Sequence, residues 1–72
     1  MFRHATIEYM VQGLIHEYVY AGTTVAYQRN AMNIEQMFKD ELISWEELQV
    51  LKERNEWLRN YNEGIDKRRS AR

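Results

Sequence analysis

An all-α fold is what the sequence predicts: a helical hairpin with a short connecting helix, assembled as a dimeric or larger helix bundle. Three observations predict it. Seventy-two residues with three glycines and no proline contain few compulsory helix breaks. A complete helix-start signature stands at Ser44. Apolar or small residues recur at alternating steps of four and three through residues 7–32, which is the spacing of a helical seam and not of a strand.

The first helix is expected over about residues 5–31. Its seam is Ile7, Val11, Leu14, Tyr18, Ala21 and Val25, and a second apolar stripe of Met10, Ile15, Val19, Gly22 and Ala26 adjoins it. Residues 18–28 carry no charge. A helix this apolar on more than one side exceeds what one short and one long helix can cover. The seam residues Ile7, Val11, Leu14, Tyr18, Ala21 and Val25 are therefore expected to form an interface between subunits. Two other readings of the region compete. Residues 17–20 and 23–27, rich in β-branched and aromatic side chains, would form a hairpin about Ala21-Gly22, or Gly22-Thr23-Thr24 would kink a helix.

A short helix is expected from Ile34 to about Asp40. Asn33 would be its cap, Gln36 the reciprocal partner, and Met32 against Met37 the hydrophobic staple. Lys39 to Ile43 would then turn the corner. In Ile43-Ser44-Trp45-Glu46-Glu47-Leu48 the hydroxyl of Ser44 can accept from the Glu47 amide while the Glu47 carboxylate accepts from the Ser44 amide, with Ile43 closing over Leu48. The second long helix accordingly starts at Ser44. Leu48, Leu51, Leu58 and Ile65 mark its apolar stripe, and Asn60, Asn62 and Gly64 are expected to end it near residues 62–64. Trp45 and Trp57, twelve residues apart, are expected on roughly one side of it. Residues 1–65 thus read as one helical domain and 66–72 as a basic, flexible tail.

Composition bounds the function. One domain is all that 72 residues can build. The absence of cysteine removes disulfides, thiolate metal sites and a thiol nucleophile together. The net charge of −1 hides a partition, with residues 1–32 neutral, residues 33–66 at −5 and the last six residues at +4. A mildly acidic body does not provide the broad basic field of most nucleic-acid binders. The N-terminus has no apolar signal-peptide core and no stretch approaches ~20 apolar residues, so a cytoplasmic protein with no membrane partner is expected.

Catalytic groups are sparse. The serines are Ser44, needed as a cap, and Ser70, in the tail, and no base or orienting group accompanies either. His4, Glu8, Gln12 and His16 form a ridge at four-residue steps, but adjacent members make only pairs, and a polar surface ridge is favoured over a metal site. No glycine-rich phosphate loop is present. The expectation is a protein without enzymatic activity, metal or cofactor. It would bind and modulate, or inhibit, a larger protein through Tyr18, Tyr20, Tyr27, Trp45, Arg54, Trp57 and Tyr61, residue types enriched at protein interfaces. A small accessory protein of a phage or mobile element would suit this description. Two alternatives stand beside it. One is a nucleic-acid-associated regulator using Lys67, Arg68, Arg69 and Arg72. The other is an oligomeric binder of a nucleotide or similar small ligand, with a pocket between subunits lined by Tyr9, His16, Tyr20 and Arg29.

Overall fold

A computed structural model describes residues 2–70 and the side chains of residues 7–69. Three helices form it: α1 (Phe2–Ala21), α2 (Thr23–Lys39) and α3 (Trp45–Ser70). Among the described residues there is no strand, so the fold is all-α and the hairpin reading of residues 17–27 is excluded. Contacts between Leu14 and Asn30 and between Glu17 and Arg29 straddle Gly22, whereas those of Thr23, Tyr27 and Glu35 with Asp66, Glu56 and Lys52 straddle the second corner. The chain therefore runs up, down and up again.

The first break falls at Gly22, earlier than the expected helix end near residue 31. Gly22 has φ 86° and ψ 164°, a backbone region essentially confined to glycine, and this single residue reverses the chain. The kink reading of Gly22-Thr23-Thr24 came nearest to this, though the chain folds back there. From Thr23 the helix then runs without interruption to Lys39, so the expected start at Asn33 is corrected. Gln36 donates to Asp40 Oδ1 at 3.0 Å, one turn ahead of it.

The second corner is a Schellman arrangement. The Leu42 amide donates to the Met37 carbonyl at 2.9 Å and the Glu41 amide to that of Phe38 at 3.0 Å, with Glu41 left-handed at φ 61°. Two residues later the expected capping box is present. The Glu47 amide donates to Ser44 Oγ at 3.1 Å, the Ser44 amide donates to Glu47 Oε1 at 2.7 Å, and Ile43 and Leu48 are both buried. α3 does not stop at residues 62–64. Asn62 turns its amide back onto the Leu58 carbonyl at 2.7 Å and Asp66 accepts from the Thr23 hydroxyl at 2.7 Å, so the helix is held through this stretch to Ser70. Residues 66–70 of the expected tail are thus the last turns of α3, with Lys67, Arg68 and Arg69 complementing its dipole.

The core consists of Leu14 and Tyr18 from α1, Ala26 and Ile34 from α2, Leu48, Leu51 and Leu58 from α3, and Ile43 from the corner. This corrects the assignment of Leu14 and Tyr18 to a subunit interface, since they are 6% exposed within a single protomer. Ile7 and Val11, of the same seam, pack partly against that core. Ala21 is half-buried, and Val25 is left exposed. The seam was real, and its partners are α2 and α3 of the same chain.

Candidate functional site

Three buried polar side chains, one from each helix, meet at the centre of the core. The Tyr18 hydroxyl lies 2.8 Å from Asn55 Oδ1 and 3.0 Å from the Asn55 carbonyl oxygen, both acceptors. Asn30 donates from Nδ2 to Asn55 Oδ1 and to the Leu14 carbonyl, each at 3.2 Å, and Asn55 Nδ2 donates to the Tyr27 carbonyl at 3.2 Å. Asn30 and Asn55 are each 2% exposed. A shift in register would leave these groups unsatisfied in an apolar setting, so the node fixes how the three helices meet. Burial of the phenol raises the Tyr18 pKa to about 12, with the Arg59 guanidinium opposing that shift. At the edge of the node the Tyr27 hydroxyl donates to Glu56, which raises the Tyr27 pKa, and Arg59 lies 4.5 Å over the Tyr27 ring while bonding Glu56 at 2.9 Å.

The node is structural in character. Its one hydroxyl beside a carboxylate, Tyr27 on Glu56, has its pKa raised and so holds its proton, and among the described residues no three His, Asp or Glu side chains gather as a metal site would require. It also reassigns two residues expected at a partner surface. Tyr18 and Tyr27 hold the helices to one another, and neither hydroxyl is available to a partner.

The surface carries the other aromatics. On α3, Val50, Arg54, Trp57 and Tyr61 follow at steps of four, three and four and are all exposed. The Trp57 and Tyr61 rings are stacked, 5.3 Å apart and 6° from parallel, while more than half exposed. Val50, Glu53, Arg54 and Trp57 line a shallow groove of about 230 Å³. Of the expected partner-binding residues the structure thus brings Arg54, Trp57 and Tyr61 together. Trp45 stands apart from them, because twelve residues at ~100° each leave a remainder of ~120° and not one shared side.

On α1, Tyr9, Gly13, His16 and Tyr20 repeat the same spacing on the outward face. Tyr9 and Tyr20 are both 81% exposed, and the His16 and Tyr20 rings stack at 5.9 Å. Arg29, expected with them in a pocket between subunits, lies on α2 and faces Glu17 at 3.6 Å, so the four side chains do not form a pocket within one protomer. The larger groove, about 410 Å³, runs between α1 and α2 with Leu51 as part of its lining. Lys67, Arg68 and Arg69 are exposed in the last turn of α3, where consecutive positions spread over ~200° of the helix circumference and form no single stripe. Arg72 lies outside the described residues, as does the side chain of His4 from the polar ridge, whose members Glu8, Gln12 and His16 are exposed. Among the described residues no helix is long and apolar enough to cross a membrane.

Sequence reasoning missed the node and the outward α1 seam. A signal for the node existed, since residue 55 continues the spacing of Leu48, Leu51 and Leu58 and is an asparagine. The chain matches no protein-family model, and no curated protein or solved structure matches it.

Proposed function

We propose that this protein is a non-enzymatic interaction module that binds and modulates a larger protein through the outer stripe of α3. The observation that carries the reading is the Trp57 and Tyr61 pair, held stacked and parallel yet more than half exposed, with Arg54 one turn before it. Tryptophan, tyrosine and arginine supply most binding hot spots because each combines a large apolar surface with a polar handle. A pair already stacked in the free protein loses little rotamer freedom on binding. The flank of α3 that meets α2, through Lys52, Glu56 and Asp66, lies on the opposite side of the helix, so a partner can cover the stripe without disturbing the fold.

A photoreactive phenylalanine analogue in place of Val50 tests the reading. The expected outcome is a covalent adduct to one cellular protein, whose purified form binds Trp57→Ala at least tenfold more weakly than the unaltered chain. A captured protein that binds Trp57→Ala and Arg54→Ala with unchanged affinity would remove α3 as the binding surface.

A further inference from the structure

We propose that a second copy of this chain covers the outer face of α1, in an antiparallel two-fold pair centred between Leu14 and Ile15. Tyr9, Gly13, His16 and Tyr20 make a second seam of four-three-four spacing, and all four are exposed among the described residues, with Gly13 also on the edge of the groove between α1 and α2. Tyr9 and Tyr20 lie equally far on either side of the point between residues 14 and 15, and so do Gly13 and His16. A two-fold axis there sets Tyr9 against the partner subunit's Tyr20 and His16 over the partner subunit's Gly13, and each contact occurs twice. The imidazole is the knob and the glycine the hole.

Three further observations favour a copy of the same chain over another occupant. Gly13 lies inside a helix with ordinary backbone geometry, and a Cβ added there would meet nothing within 4 Å, so nothing within the protomer calls for glycine. An approaching helix does. Between Tyr9 and Tyr20 the single charged residue is Glu17, which is turned towards Arg29 of α2, so the outward seam meets its own copy without like-charge repulsion. Finally, the chain exposes 5744 Å² at 8.8 kDa, where a monomer of that mass is expected to expose about 4,800 Å². Part of that excess follows from the elongated shape, 45 × 22 × 18 Å, and an ordinary interface would cover ~800 Å² on each partner.

The test is solution mass by light scattering across a dilution series, with Gly13→Gln and Tyr9→Glu variants beside the unaltered chain. A mass twice 8.8 kDa, at least tenfold weaker association for Gly13→Gln, and an unchanged dimer for Trp57→Ala are expected. Glutamine is a good helix former and has open space at this position, so helicity by circular dichroism remains and loss of the dimer is not loss of the fold. Register is read by disulfide formation, which has no background because the chain lacks cysteine. Mixing Tyr9→Cys with Tyr20→Cys should give the cross-linked pair, and neither alone should. A monomer at every concentration, a dimer indifferent to both seam variants, or cross-linking of Tyr9→Cys with itself would each overturn the proposal.

Discussion

α1 and α3 share one core and meet solvent in opposite ways. α3 carries twelve charged residues and places Leu48, Leu51, Asn55 and Leu58 on a single buried face. α1 carries three, Arg3, Glu8 and Glu17, and contributes Leu14 and Tyr18 to the core while Tyr9, Val19 and Tyr20 stand in solvent. A charged outer face restricts a helix to one way of packing, and the short Val50 to Tyr61 stripe and the exposed Trp45 interrupt it. An uncharged outer face leaves a helix able to pack on either side. The difference assigns cohesion of the protomer chiefly to α3 and leaves α1 with a face that does not serve the fold.

The sharpest way to break this comparison is to truncate a core residue on each helix. Leu51 is fully buried, and Leu51→Ala should destabilise the fold by about 3 kcal/mol, against about 2 kcal/mol for Leu14→Ala, whose side chain keeps 6% of its surface exposed. A single small core supplies ~3–5 kcal/mol in total, so the first variant should be largely unfolded at room temperature. Urea titration followed by circular dichroism measures both. Equal losses would mean that α1 is as deeply embedded as α3.

The two helices are joined through Tyr18, and this join has a pH dependence of definite sign. Its phenol is neutral when protonated, and burial raises its pKa from 10.0 to about 12. The folded state therefore holds the proton more tightly than the unfolded chain. Stability is fully present below pH 10 and is lost as pH rises towards 12, by roughly 2 kcal/mol. The raised pKa of Tyr27 acts in the same direction. The urea midpoint of the unaltered chain should be lower at pH 11 than at pH 8, and Tyr18→Phe should flatten that fall while lowering the midpoint at pH 8.

The two corners offer the next contrast. Gly22 and Glu41 are both at positive φ, but only one is a glycine. Gly22→Ala should cost about 2 kcal/mol because φ 86° with ψ 164° excludes a Cβ. Glu41→Gly should instead stabilise by about 1 kcal/mol, since Glu41 occupies the left-handed position of a Schellman motif where glycine is favoured. Thermal melts resolve both. A neutral Gly22→Ala would mean that the α1 to α2 corner is not fixed at one residue.

Legibility followed the same division. α3 could be placed from its first residue and its buried stripe could be read, because a capping box and a charged opposite face leave little ambiguity. Its end was misplaced, because Asn62 and Gly64 tolerate a helix stop without requiring one, and the Thr23 to Asp66 contact that holds the extra turns is made by residues 43 apart. In α1 the inner seam of Ile7, Val11, Leu14 and Tyr18 was found but given to a second subunit. Its true partners depend on a reversal at Gly22, which the pattern of one helix does not contain. The Tyr18, Asn30 and Asn55 node was hidden for a similar reason, since an asparagine within an apolar stripe gains meaning only once its acceptors and donors on other helices are known. On the surface, Trp57, Tyr61 and Arg54 were recognisable by type, and their common stripe follows from counting residues.

The smallest effect isolates what a local signal means. Ser44 and Asn33 head the same motif in the sequence, a cap followed three residues later by Glu or Gln and flanked by apolar residues. Only Ser44 uses it. Ser44→Ala should therefore cost about 1 kcal/mol through loss of the acceptor for the Glu47 amide. Asn33 is exposed in mid-helix, where alanine is the better helix former, so Asn33→Ala should be neutral or stabilise by up to ~0.5 kcal/mol. Paired thermal melts decide the matter, and a loss at Asn33 equal to that at Ser44 would place a helix start there after all. Opposite signs would locate the cause of the difference. An α2 already nucleated at Thr23 and packed on α3 through Ala26 and Ile34 has its amides at residue 33 and beyond committed to the helix, so the cap has no free donor to satisfy.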